Sequence, residues 1–367
     1  MKILYLANYK NLSGWSQQAV NTILSLDTIP DITVVPRHVN ILNNTNPDLP
    51  ERIKELESNS DRNPDIIIQN VLPSMMEVTT RVLKNVGYFV CENSNFKATG
   101  WQHKLNMMSE TWVPCYHNKQ AALASNVDTG INIVPEATDV TKYNKTYPVH
   151  RIRESFPNDF IFLVLGEWST RKNVEAVIKA FALEFDPLEP VQLFIKTTPG
   201  SVNINQRLEE TKNELGLYKD VSRYKRENVQ CEFLGEDEIY GIHQSTDAYI
   251  CTSHAEAWNI GAIDSMGFGK PILVPRYGGF LDYANDNNSY LIDGIEDFIW
   301  RGGSDKGLPD IYTSKESWFY PSLKSLMKNM RDCYSKEGVR KKKVQVAKET
   351  VKKFSYEAVG KIAQGFL

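Results

Sequence analysis

The chain has 367 residues, 41% of them hydrophobic and 24% charged, a composition and length that suit two globular domains, each with its own core. Lys plus Arg number 42 against 45 Asp plus Glu, a net charge of −3, so no overall field argues for nucleic acid or an anionic membrane. The five cysteines, Cys91, Cys115, Cys231, Cys251 and Cys333, are odd in number and widely spaced. They read as reduced core residues of a cytoplasmic protein, not as a disulfide framework or a metal cluster. The opening MKILYLANYK has too short an apolar stretch for a signal peptide, and nowhere do 18 apolar residues run together, so no transmembrane segment is expected.

In chain order, short apolar runs fall at 3–6, 66–68, 88–91 and 131–134, then at 160–165, 191–195, 229–233, 248–251 and 272–274. Runs without period-2 alternation suit strands covered on both faces, hence parallel sheets flanked by helices. The stretches between them carry helical spacing: Val174, Val177, Ile178, Phe181 and Phe185 share one stripe. The expectation is an α/β protein of two doubly wound units in tandem. A polar stretch at 145–159, with Pro148 and Pro157, is the expected hinge. In open α/β sheets ligands bind beyond the carboxyl ends of the strands, which directs attention to four loops.

The first follows the opening strand: Asn11-Leu12-Ser13-Gly14-Trp15-Ser16. Gly14 lets the backbone approach a phosphate, with a helix N-terminus behind it; it is not a G-x-G-x-x-G dinucleotide loop, and a plain turn explains it as well. The second is Gly166-Glu167-Trp168-Ser169-Thr170-Arg171-Lys172-Asn173. Arg171 and Lys172 open a helix whose N-terminus is already partly positive. An anion, a diphosphate for instance, would resolve that conflict; a solvated basic turn is the alternative. The third runs from Ser253 to Pro271. It places Glu256 in a loop, opens a short helix with Asn259-Ile260-Gly261, and sets Asp264 one turn in. Two carboxylates flanking a helix start can accept from sugar and ribose hydroxyls while the amides face phosphates, although acids near helix starts are also ordinary dipole partners. The fourth, Pro275-Arg276-Tyr277-Gly278-Gly279, suits either close backbone approach or a turn.

Together these loops resemble the retaining glycosyltransferases of family 4. The string Val134-Pro135-Glu136-Ala137-Thr138-Asp139 is similar to the one that closes that family's first domain. GEWSTRKNVEAVIKAF resembles its phosphate loop and following helix, and Phe233-Leu234-Gly235 its base-side segment. Ser253 to Pro271 resembles its signature of a Glu followed, after seven residues, by a second acid, and Phe354-Ser355-Tyr356 the start of its last helix. The resemblance implies the GT-B fold, two Rossmann-like domains facing each other across a cleft. The acceptor-side domain would span 1–147 and the donor domain 152–350, with a final helix at 355–367 packed back on the first.

It further implies that Lys172, with Arg171, holds a donor diphosphate, that Glu256 touches the transferred sugar and that Asp264 binds ribose. Asn259, Ile260 and Gly261 would present amides, and Gly14 would close the first loop. Glu92 stands where many relatives carry a His beside the sugar, with Trp101, His103 and Trp112 near an acceptor; core packing accounts for these aromatics equally. Three positions depart from the family: Asp264 where Glu is usual, Glu167 where many relatives have Arg, and Asn173 where Gly is usual.

The implied activity moves a sugar from a nucleotide-diphosphate sugar to an acceptor hydroxyl with retention, without metal or cofactor. No Asp-x-Asp string and no zinc spacing of His and Cys is present. A nucleotide-sugar epimerase of the same fold and a non-catalytic sugar-nucleotide or glycan-binding module remain as alternatives. The acceptor is not legible; a glycan, a lipid, a protein and a modified nucleic acid all stay open. A basic helix at 339–353, with Arg340, Lys341, Lys342, Lys343 and Lys348, suits either a solvated face or peripheral contact with an anionic surface.

Overall fold

The computed structural model describes residues 1–11, 13–41, 49–200, 203–216, 224–299, 312–313 and 315–367. They divide into two compact units, Met1–Val140 with Lys352–Leu367, and Thr141–Val351.

The first unit runs β1 (Lys2–Ala7), α1 (Gly14–Asp27), β2 (Thr33–His38), α2 (Glu51–Glu57), β3 (Ile66–Asn70), β4 (Lys84–Tyr88), α3 (Trp101–Leu105), β5 (Glu110–Val113), α4 (Tyr116–Ala124) and β6 (Gly130–Ile133). All six strands are parallel, in the order β2-β1-β3-β4-β5-β6. Its core gathers Ile3, Tyr5, Ile23, Leu26, Ile68 and Trp112. The carboxyl-terminal residues of the chain complete it. Thr138 N donates to Phe354 O at 2.8 Å, and Tyr356 OH to Asn21 Oδ1 at 2.9 Å.

The second unit runs α5 (Arg151–Ser155), β7 (Phe160–Leu165), α6 (Val174–Glu184), β8 (Val191–Thr197), α7 (Ile204–Glu214), β9 (Glu227–Cys231), α8 (Glu236–Ser245), β10 (Ala248–Ile250), α9 (Ile260–Gly267), β11 (Ile272–Pro275), β12 (Tyr290–Ile292), β13 (Gly294–Phe298), β14 (Ser317–Pro321), α10 (Leu323–Ser335) and α11 (Glu337–Val351). Its main sheet is again parallel, in the order β12-β11-β10-β7-β8-β9, with β13 and β14 forming a separate antiparallel pair. The stripe foreseen on α6 is buried: Val174, Val177, Ile178 and Phe181 pack under β7, β8 and α10. The last helix, α12 (Tyr356–Gln364), is N-capped by Ser355 and buries Val359 and Ala363 in the first core.

The apolar runs locate most strands, with instructive slips. The strand expected at 88–91 is β4 and ends at Tyr88. Cys91 is instead held by the amide of Asn118, whose Oδ1 accepts from Cys91 N at 3.2 Å and whose Nδ2 donates to Cys91 O. The strand expected at 229–233 is β9 and ends at Cys231, because its register on β8 stops at Thr197. β2 carries Pro36 and hid from the sequence; as an edge strand it tolerates a residue that cannot donate to a ladder. The polar stretch 145–159 is no free connector but part of the second unit. Arg153 donates to the carbonyls of Ser245 and Asp159 and pairs with Asp247 at 2.5 Å, while Tyr147 N donates to Gln244 Oε1 at 3.0 Å.

Candidate functional site

At the carboxyl edge of the second sheet, the loop after β7 begins with Gly166 at φ 150°, a conformation that favours glycine. Its N–H donates to Lys196 O at 3.1 Å. Trp168 is buried and donates its Nε1–H to Glu175 Oε1 at 2.9 Å, while Glu167 is exposed. Asn173 precedes α6 in the left-handed region, φ 50°, which Asn tolerates better than most residues. That is the physical reason Asn can stand where Gly is usual. Its side chain donates to Thr252 O, and Thr252 Oγ1 donates back to Asn173 O at 2.8 Å.

This double tie joins the loop to the one after β10. There His254 N donates to Arg171 O at 2.8 Å, and Arg171 Nη1 donates to Ala255 O at 2.8 Å. Glu256 is buried with Oε1 2.5 Å from Lys172 Nζ and Oε2 3.4 Å from Arg171 Nη1. Burial opposes ionisation of Glu256, but Lys172 and Arg171 outweigh it and pull the carboxyl down to about 2. The conflict of two cations at a helix start is thus met, in this structure, by Glu256. A buried carboxylate and two cations that can exchange partners form one electrostatic unit.

The paired glycines of the fourth loop lie against the backbone of the third. A Cβ on Gly279 would sit 1.8 Å from Ala257 O, one on Gly278 2.8 Å from Glu256 O, and Gly279 N donates to Glu256 O at 2.9 Å. Asn259, at φ 83°, caps α9 through its Oδ1 on Ala262 N, and Tyr249 OH donates to the same oxygen at 3.0 Å. Gly261 is needed there: a Cβ would lie 3.0 Å from that hydroxyl. Asn259, the cap of α9, also lines a small cavity together with Gly166, Lys172, Tyr249 and Ser253, and α9 begins at the next residue, Ile260.

Asp264 faces neighbours that the sequence did not announce. Its Oδ1 takes an ion pair from Lys142 Nζ at 2.8 Å and a hydrogen bond from Tyr143 OH at 2.8 Å, all within the second unit. Lys142 is itself buried, over the ring of Tyr240. A further surprise is the β13–β14 pair. Phe319 N donates to His254 O at 2.9 Å, Trp318 stacks on the His254 ring at 5.5 Å, and His254 Nδ1 lies 2.8 Å from Phe319 O. Burial lowers the proton affinity of His254, and a nitrogen facing a carbonyl must be the one that carries the proton. Of these unforeseen neighbours only Gly278-Gly279 carried a sequence signal; the others become neighbours through folding.

The first unit holds the remaining candidates. Gly14 is the exposed first residue of α1, capped by Ser13, which accepts from Ser16 N at 3.1 Å; Leu12 lies outside the described residues. Glu92 lies in the loop four residues beyond the end of β4, not at the strand end. Trp101 is buried against Phe96 at 5.8 Å, and Trp112 is wholly buried, donating to Glu110 Oε1 at 2.8 Å. Both rings pack in the interior of the first unit. His103 is exposed. On the basic helix, two cations face inward: Arg340 donates to Cys333 O and Tyr334 O, and Lys343 to Asp286 O and Ser289 O.

Two parallel, doubly wound six-stranded sheets in tandem, the second with cations and buried acids at its carboxyl edge, define a GT-B glycosyltransferase fold. Residues 149–297, most of the second unit, match the family model described as glycosyl transferases group 1. No curated protein matches the chain in sequence. Among solved structures, HepE of Anabaena in complex with UDP-glucose aligns with a TM-score of 0.70 at 13% identity, over 100% of this chain and 99% of that one. Sucrose-phosphate synthase from Thermosynechococcus elongatus aligns at 0.65 and 12%, over 100% and 98%. A glycosyltransferase from Rickettsia africae aligns at 0.65 and 14%, over 100% and 97%. At these identities the likeness speaks for the fold. Among the described residues no helix is long and apolar enough to cross a membrane.

Proposed function

We propose that this protein is a glycosyltransferase that takes its sugar from a nucleoside-diphosphate sugar held by the second unit, and passes it to an acceptor hydroxyl with retention and without a metal ion. The observation that carries the reading is the Lys172–Glu256–Arg171 cluster at the starts of α6 and α9. A diphosphate entering beside it exchanges onto Lys172, Arg171 and the α9 amides. Glu256, relieved of part of its pairing, can then accept from sugar hydroxyls. Among the described residues Lys142 and Tyr143 both meet Asp264 at Oδ1, and Oδ2 would accept from a ribose hydroxyl. Its shorter side chain serves because Lys142 and Tyr143 hold it in place.

In the reaction, the acceptor oxygen bonds to the anomeric carbon on the face from which the phosphate leaves, as the bond to the β-phosphate oxygen breaks. The acceptor's proton passes to that departing oxygen. Lys172, Arg171 and the helix amides stabilise the charge on the leaving group, a preorganised contribution usually worth about 10²–10³ in rate for each donor removed. In EDTA, the purified protein with a donor and a panel of hydroxyl acceptors should give a glycoside of retained configuration, and Lys172→Ala should lose about 10²–10³ in kcat. Donor conversion without an acceptor would instead make the protein an epimerase. Binding without turnover would make it a sugar-nucleotide-binding module. The Anabaena protein was solved with UDP-glucose, so the uridine donor is the first to try.

A further inference from the structure

Lys196 is the penultimate residue of β8, at the carboxyl edge of the sheet, in register with Leu165 on β7 and Gln230 on β9. It is 5% exposed, yet among the described residues its ammonium has neither a hydrogen-bond acceptor nor a carboxylate at ion-pair distance. Glu232 and Glu238 act on it only from farther away, and burial lowers its proton affinity. A cation that burial destabilises and no carboxylate pairs is kept where something has to be met. On the same face of the adjacent strand, Gln230 donates its Nε2–H to Glu232, which fixes its Oε1 as an acceptor; that oxygen is buried, makes no full hydrogen bond, and has the His150 ring as its near neighbour. Lys172 and Glu256 stand on the other side of β7, toward β10. β9 leads directly into Phe233-Leu234-Gly235, the base-side segment that the resemblance implies.

We infer that Lys196 reads the base of the donor, with Gln230 beside it, and selects uracil or guanine over cytosine or adenine. This rests on the donor-site reading above. A lysine ammonium has three donors and no acceptor. It matches the keto oxygen of uracil or guanine and opposes the exocyclic amine that cytosine and adenine present instead. A fixed amide oxygen matches the ring N–H adjacent to that keto group; in cytosine and adenine the same position is a lone pair. A polar pair of this kind discriminates strongly, because the wrong base leaves buried groups unpaired.

The test is calorimetric titration, in EDTA, of the intact protein and of Lys196→Met and Lys196→Arg with UDP, GDP, CDP and ADP. The wild type should bind UDP or GDP at least about tenfold tighter than CDP and ADP. Lys196→Met should erase most of that preference by losing affinity for the keto bases, and Lys196→Arg should retain it. Should Lys196→Met fail to fold, the wild-type ratios and Lys196→Arg decide the matter. A wild type that favours CDP or ADP, or has no preference, overturns the inference and leaves the donor site standing. Uniform weakening for all four nucleotides would make Lys196 a phosphate contact and also overturn it. Absence of binding by any nucleotide removes the donor-site reading and the inference together.

Discussion

Glu256 and His243 show what burial does to a titratable group when its neighbours outweigh it and when they do not. Glu256 is ionised because Lys172 and Arg171 hold its carboxyl at about 2, below the 4.5 of the free side chain. The unfolded chain therefore takes up that proton first, so the stabilisation is complete above about pH 4.5 and is lost as pH falls toward 2. Denaturant unfolding should find Glu256→Gln less stable than wild type by about 1–3 kcal/mol at pH 6, with the gap closing near pH 3. His243, on α8, is governed by burial: Asp264 favours its cation, but desolvation, with Lys142 and Lys270, outweighs it. It stacks on Phe268 at 5.8 Å and shares a 2.9 Å hydrogen bond with Ser265 Oγ, and burial lowers it to about 4. Here the unfolded state gains the proton below about 6.5 while the folded state resists, so stability should fall from pH 6.5 to 4. A tenfold change in proton affinity is worth about 1.4 kcal/mol, so the fall amounts to a few kcal/mol. In His243→Asn that slope should flatten, and an unchanged slope would show that other groups govern it.

Loops, not single side chains, make this site, and their interlocking sets its rigidity. The loop after β7 is tied to the loop after β10 by Asn173, Thr252 and His254; the latter is tied to the loop after β11 by Gly279 and to β14 by Phe319. Gly279→Ala meets a backbone oxygen at 1.8 Å, which no rotamer relieves. It should destabilise the protein by more than about 2 kcal/mol and weaken donor binding in parallel. Asn173→Ala should cost about 1–2 kcal/mol for the left-handed backbone, whereas Asn173→Gly should be nearly neutral; thermal midpoints of the two separate strain from lost hydrogen bonds. Elements with a continuous apolar run, such as β7 and β11, were legible because period and composition suffice for a strand covered on both faces. The β13–β14 pair was not: β13 is largely exposed and its partner lies some twenty residues on, so no local pattern announces it.

At the scale of the chain, the first and last segments share one core. Gly360 lies so close to α1 that a Cβ would sit 2.4 Å from Ser25 O, and Val359 and Ala363 complete the apolar cluster of the first unit. Removing residues 352–367 should cost that unit more than about 4 kcal/mol, the size that marks loss of a whole buried face. Limited proteolysis should then cut the first unit while sparing the second. On the proposed donor reading, nucleotide at 100 times its dissociation constant should add about 2.7 kcal/mol to the second unit, at roughly 2–4 °C for each kcal/mol.

The doubly wound class, most strands of the two main sheets, and the places of Lys172 and Glu256 in loops after strands and of Asp264 one turn into a short helix were legible in local pattern. Hydrophobic period and turn residues act over a few neighbours, so a linear reading finds them. What each acid faces was decided only in three dimensions. Lys142 reaches Asp264 across more than a hundred residues, Lys172 reaches Glu256 across more than eighty, and Lys196 stands unpaired beside Gln230. Ion pairing and desolvation depend on distances that only packing sets, and packing is the property that sequence distance does not measure.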